Sequence, residues 1–191
     1  MDNPYLSDAA VFLISTLFNL YIFAVLLRFL MQWVRADFYN PISQFLVKIT
    51  NPPLRPLRRI IPGLGGIDLA SVVLLIALQM LDLLLINIAV GRMNSAEGLF
   101  VTAVAELLST LITLYFITIL VEVILSWIAA GTYNPVTYLV HQLNAPVMAP
   151  ARRLIPPIGG IDLSPLVVMI VLQLARILIV SPLLGLGQSL G

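Results

Sequence analysis

Gly65-Gly66-Ile67-Asp68-Leu69 returns as Gly159-Gly160-Ile161-Asp162-Leu163, and the 94-residue offset between the two stretches holds along the chain without a gap. At that offset Trp33 falls on Trp127, Tyr39-Asn40-Pro41 on Tyr133-Asn134-Pro135, and Arg58-Arg59 on Arg152-Arg153. Pro52 and Pro56 meet Pro146 and Pro150, Ile61-Pro62 meets Ile155-Pro156, and Gln79 meets Gln173. Shared composition would repeat Leu and Val, but not Trp, Asn-Pro, Arg-Arg and Gly-Gly-Ile-Asp in register. The chain is a tandem duplication, with residues 1–94 and 95–191 as its units.

Of the 191 residues 60% are apolar and 10% charged, against about 25% charged in soluble domains. Mean hydropathy is +1.05, which excludes both a soluble globule and a disordered chain. Four apolar runs, about 8–33, 69–90, 99–128 and 165–186, are long enough to cross a hydrocarbon core of about 30 Å. The expected fold is an all-α membrane protein with four transmembrane helices, arranged as two parallel two-helix repeats. An even number of spans per unit makes both copies enter the membrane in the same direction, which predicts a pseudo-two-fold axis along the membrane normal.

Arg35, Lys48, Arg55, Arg58 and Arg59 lie between the first two runs, and Arg152 and Arg153 between the last two. Arg92 stands alone in the middle connection, and the termini carry no Lys or Arg. The positive-inside rule therefore predicts cytoplasmic connections at 34–68 and 129–164, with both termini on the far side. Met1-Asp2-Asn3-Pro4 has no basic stretch ahead of the apolar run, so that run is expected to stay in the mature protein. A net charge of +1 gives no reason to expect nucleic acid. With no Cys and one His (His141), neither a metal site nor another cofactor is expected. There is no phosphate-binding Gly-Lys-Ser/Thr loop, no Thr-Val-Gly-Tyr-Gly filter and no hydrolytic triad, so the chain reads as a non-enzyme.

Within each cytoplasmic connection, Asn40-Pro41 and Asn134-Pro135 read as an N-cap followed by Pro at the first helical position. Ile42, Phe45, Leu46 and Ile49 follow at helical spacing, as do Val136, Leu139, Val140 and Leu143. This predicts a short interfacial amphipathic helix of about ten residues on the cytoplasmic side of each repeat. Pro52-Pro53, Pro56 and Pro62 are expected to break it, and Gly65-Gly66 to allow a sharp turn. Asp68 and Asp162 then stand where N-caps of the following spans belong, with Ser164-Pro165 as an alternative in the second copy.

These residues resemble the YggT family of small integral membrane proteins, also called YlmG. The pattern is Trp33, Asn40-Pro41, the run from Thr50-Asn51-Pro52-Pro53 to Ile61-Pro62, and Gly65-Gly66-Ile67-Asp68. The second copy departs at Asn144-Ala145-Pro146, where the Thr-x-Pro opening is replaced. The resemblance covers nearly the whole chain as two tandem units, and it supplies no catalytic residues. It implies a bacterial inner membrane location and links to osmotic stress tolerance and potassium handling, to division and membrane organisation, and in chloroplast relatives to haem attachment.

The same offset sets Arg28 against Glu122 and Asp82 against Arg176, opposite charges at equivalent positions inside the membrane. Equal depth suggests cross-repeat ion pairs Arg28–Glu122 and Asp82–Arg176. Glu106 (equivalent to Phe12), Gln79 and Gln173 extend a polar seam between the halves. Such a seam either fixes how the two hairpins dock or carries a cation or proton, because ionisable groups in a membrane need a partner or water. Arg55, Arg58, Arg59, Arg152 and Arg153 are candidates for docking anionic headgroups or a partner protein. Trp33 and Trp127 read as interface anchors. Two functions follow from the sequence: a non-catalytic factor organising lipids or a partner membrane protein, or a potassium or proton transporter using the seam. The second would need a homo-oligomer, because four helices enclose little space.

Overall fold

The computed structural model describes residues 4–92, 94–128, 134–156 and 162–191. Every regular element among them is helical: α1 (Pro4–Trp33), α2 (Pro41–Ile60), α3 (Leu69–Val90), α4 (Ala96–Ile128), α5 (Pro135–Leu154), α6 (Ser164–Ala175), a π turn (Arg176–Val180) and α7 (Ser181–Leu190). Helices α1, α3, α4 and the continuous α6–α7 rod are long and apolar enough to span a membrane. They match the four expected runs, and this is a multi-pass membrane protein. The π turn stands just before Pro182, where the chain has no N–H to offer, and the Ser181 N–H bonds back to the Arg176 carbonyl five residues earlier.

Helices α2 and α5 correct the expected ten-residue interfacial helix, since each runs for 20 residues straight through its internal prolines. Proline removes a donor without removing an acceptor, so the helix continues wherever the released carbonyl finds another partner. Pro53 releases the Ile49 carbonyl, and Tyr21 Oη of α1 donates to it at 3.2 Å. Pro52 and Pro56, like Pro146 and Pro150, stand four residues apart on one open flank, where the missing bonds line up on a single side. The apolar stripe is also divided. Ser43, Leu46, Thr50 and Leu54 are buried against the bundle, while Phe45 is 61% exposed.

The caps follow the sequence at both helix starts: Asn40 and Asn134 accept from the N–H groups of Ile42 and Val136, each at 2.9 Å. Gly65 and Gly66 take φ of +61° and +87° in a tight turn closed by two hydrogen bonds between Leu64 and Ile67, a conformation that favours glycine at both positions. Gly159 and Gly160 lie outside the described residues. Asp68 stands at the N-cap of α3 without a side-chain cap bond, and in the second copy Leu163 takes the N-cap and Ser164 the first helical position, while Asp162, one residue earlier, accepts from the Ser164 N–H at 2.9 Å.

The main core joins Ile22, Val25 and Leu30 of α1 to Leu54 of α2, Leu74 of α3 and Leu114 of α4. A smaller cluster of Ile119, Met148 and Val168 ties α4, α5 and α6. Within each half the first span packs on the second, and the halves meet chiefly where α3 touches α4. A two-fold axis would pair α1 with α6 whenever α3 meets α4, and no comparable α1–α6 contact forms among the described residues. The expected pseudo-two-fold is therefore replaced by a head-to-tail arrangement. The short connection after Gly91 holds α3 beside α4, whereas no link draws α1 to α6.

Candidate functional site

Two repeat-related clasps close the end of the bundle at which α2 and α5 lead into the following spans. In the first, Arg58 at the end of α2 donates through Nε and Nη2 to Asp68 Oδ2, and through Nη2 to Gln32 Oε1 at 2.9 Å. In the second, Arg152 at the end of α5 donates through Nε to Asp162 Oδ2 at 3.0 Å and through Nη2 to Glu122 Oε1 at 3.1 Å. Each arginine thus ties three elements, the span before it, its own helix and the start of the next span.

The electrostatics follow the geometry. Burial alone would raise the Asp68 carboxyl, but Arg58 and the Ser71 hydroxyl outweigh it and hold the group below the ordinary carboxylate range. Asp162 is lowered too: burial pushes upward, and Ser164 and Arg152 pull further down. Burial disfavours the Arg152 guanidinium, yet Asp162 and Glu122 more than compensate and raise it.

Glu122 is the hub of the second clasp, and its side chain is only 13% exposed. Besides Arg152 it meets His141 Nδ1 at 2.9 Å and accepts from Asn144 Nδ2 at 2.6 Å, while Thr118 Oγ1 donates to Asn144 Oδ1 at 2.7 Å. Its equivalent, Arg28, is buried and donates to Thr50 Oγ1 at 2.7 Å. Thr50 and Asn144 are themselves equivalent, so both copies make the same contact with opposite polarity: arginine to hydroxyl in one, amide to carboxylate in the other. This replaces the expected Arg28–Glu122 pair, and a second cation at position 28 explains why Arg58 turns to the neutral Gln32. Repeat alignment could have revealed this, had Thr50 and Asn144 been read beside Arg28 and Glu122.

A cavity of about 420 Å³ beside the first clasp is lined by Gln32, Arg58, Gly63, Gly66 and Asp68. One of about 380 Å³ beside the second is lined by Glu122, Ser126, Trp127, Arg152 and Asp162. The first clasp, with Arg28 behind it, holds two cations and one anion. The second holds one cation and two anions beside His141.

Deeper in the membrane, the structure does not pair Asp82 with Arg176. Arg176 donates to Ser109 Oγ at 2.8 Å and Thr113 Oγ1 at 3.2 Å on α4. Asp82 is buried, with Gln79 Nε2 at 3.4 Å, and Asp82 Oδ1 and Gln79 Oε1 have no partner. Glu106 lies within Coulombic range of both Asp82 and Arg176. Gln79, Asp82, Glu106 and Arg176 therefore gather around α4, and Gln173, though exposed, borders a cavity with Arg176 and with Thr113 and Phe116 of α4.

The cations of α2 and α5 divide as well. Arg58 and Arg152 are held in the clasps, while Lys48, Arg55, Arg59 and Arg153 are exposed and make no hydrogen bond or ion pair among the described residues. Lys48, Arg55 and Arg59 stand seven and four residues apart, so they form one stripe along α2. Their equivalents on α5 are Gln142, Ala149 and Arg153, so the stripe belongs to the first repeat alone.

A model of the family described as CCB3/YggT matches residues 7–89 and again residues 101–183. The chain is 44% identical over 180 residues to an uncharacterized protein, PA0392, of Pseudomonas aeruginosa, covering 93% of this chain and 91% of that one. It is 49% identical over 170 residues to an uncharacterized protein from the proC 3′ region of Vibrio alginolyticus, covering 87% and 91%. With the uncharacterized protein YggT of Escherichia coli K12 it shares 38% over 183 residues, covering 96% and 95%. No solved structure matches.

Proposed function

We propose, from the premise that this chain belongs to the CCB3/YggT family, that it is a non-catalytic inner-membrane scaffold gathering anionic lipid headgroups along α2. The observation that carries this reading is the stripe of Lys48, Arg55 and Arg59, which has no partner among the described residues. Beside it runs an exposed apolar flank that includes Ile42, Phe45 and Ile60. A helix with an apolar edge next to a cationic one suits the boundary between acyl chains and phosphates. Each cation near such a surface contributes about 1 kcal/mol, roughly fivefold in affinity. Stress tolerance would follow indirectly, through the lipid or the partner protein so gathered.

The test is lipid preference in nanodiscs containing spin-labelled phosphatidylglycerol or phosphatidylcholine. The unsubstituted protein should hold phosphatidylglycerol selectively, and salt should weaken the effect. Lys48→Gln with Arg55→Gln and Arg59→Gln should remove the selectivity, while Arg153→Gln should alter it little. Equal selectivity in the triple variant would sink this reading.

One observation favours transport instead. Asp82 Oδ1 and Gln79 Oε1 are buried without partners beside Glu106, and an unpaired carboxylate within a membrane is a place for a cation or proton. Potassium or proton flux in proteoliposomes that Asp82→Asn and Glu106→Gln both abolish would establish that function. Without flux from the folded protein, the scaffold reading stands alone.

A further inference from the structure

Arg28 is a buried cation with no counter-ion of its own. It is 4% exposed, its one hydrogen bond among the described residues goes to the neutral Thr50, and its Nε is buried without a partner. Asp68 lies within Coulombic range, but Arg58 and the Ser71 hydroxyl already hold that carboxylate. Arg28, Arg58 and Asp68 therefore sum to one positive charge. A buried charge is costly until an opposite one meets it. The second repeat carries no such excess, because Glu122 stands where the first has Arg28.

The cavity of about 420 Å³ at the first clasp is where an anion can answer that charge. Gln32 stands one turn after Arg28 on the same face of α1, and it lines the cavity with Arg58, Gly63 and Gly66. Arg58 uses Nε and Nη2 on Asp68 and Gln32 Oε1, so its Nη1 has no acceptor among the described residues, and neither has Gln32 Nε2. The N–H groups of Gly63 and Gly66 have no backbone acceptor either.

We infer that this cavity binds a phosphate group, with Arg58 Nη1 and Gln32 Nε2 donating to its oxygens and the buried Arg28 supplying the balancing charge behind them. A phosphodiester carries one negative charge, which is the amount the cluster leaves unmet. Ile61 and Ile67 complete the lining, and Leu64 beside them is exposed, so the surroundings suit a phosphate that arrives on a lipid. A free phosphate offers the same oxygens. The second cavity has Glu122 and Ser126 at the places of Arg28 and Gln32, and it offers an anion no such seat. This site is separate from the stripe of Lys48, Arg55 and Arg59 and stands without it.

The test is the unfolding midpoint of the full chain in a maltoside detergent, titrated with two probes at ionic strength held constant by sodium chloride. One probe is inorganic phosphate, and the other is dihexanoyl phosphatidylglycerol kept below its micelle concentration. A ligand that binds only the folded chain raises the midpoint, and the rise gives a half-saturating concentration. Arg28→Gln should raise that concentration at least about tenfold, since it removes the balancing charge. Gln32→Leu leaves Arg28 in place and should raise it about fivefold, so the seat is tested even if Arg28→Gln fails to fold. A rise with both probes means that the phosphate group itself is recognised. A rise with phosphatidylglycerol alone makes a lipid the source, and with phosphate alone a soluble compound. No rise above sodium chloride with either probe overturns the inference. So does an equal rise in every variant, which reports a general salt effect on apolar burial. Neither result touches the stripe, whose nanodisc experiment varies other residues.

Discussion

Asp68 and Asp162 hold equivalent places in the two repeats but different environments, with side chains 5% and 36% exposed. Asp68→Asn strands a partly buried guanidinium, and the loss should approach about 3 kcal/mol, the low end for a broken buried pair. Asp162→Asn should cost only about 0.2–1 kcal/mol, as at exposed pairs. Thermal unfolding of the two variants in the same detergent checks the order. Both carboxyls are lowered in the folded chain, so the stability they contribute is complete above the ordinary Asp value of about 3.9. It is lost as pH falls through the lower folded values. The melting temperature should therefore fall more steeply below pH about 4 in the unsubstituted protein than in Asp68→Asn. That Arg58 and Arg152 serve this purpose was only partly legible. Sequence marks them as repeated cations, but which of two adjacent arginines turns inward depends on helix phase, and helix phase depends on α2 and α5 continuing past their prolines.

At the scale of an element, the prolines of α2 teach the clearest lesson. The sequence correctly places the start of α2 and α5 at Asn-Pro, because a cap is decided by residues next to each other. It misjudges the length, because the partner that makes Pro53 tolerable, Tyr21, is 28 residues from the carbonyl it binds. The second repeat has Val147 where the first has Pro53, so no carbonyl is released there, and the equivalent Tyr115 hydroxyl is buried with no partner. Tyr21→Phe should then destabilise by about 1 kcal/mol, whereas Tyr115→Phe should be neutral or stabilising. Pro53→Ala gives the Ile49 carbonyl a backbone donor again, so it should shrink the cost of Tyr21→Phe. A double-mutant cycle on unfolding midpoints measures that coupling directly.

For the whole molecule, the distribution of basic residues predicts a sidedness that reporter fusions can read. A periplasm-active reporter should work at the C-terminus, and a cytoplasm-active one when inserted near Gly63. The fold class, the four spans and the duplication were legible because hydropathy and register are properties of the chain itself. The arrangement of the halves was not, since equal sequences at equal depth fit a two-fold and a head-to-tail packing alike, and only the short link after Gly91 selects between them. The π turn at Arg176–Val180 adds a last distinction, because it takes one more residue per turn than the helix around it. Beyond it, residues that still align by number no longer point the same way, being out of phase by about 100°. The duplication therefore ends in space before it ends in sequence. A chimera that transplants residues 83–90 onto 177–184 by alignment would turn its lipid-facing side chains towards α4. The far end of the last span has become a segment of its own, free to change without its counterpart in α3.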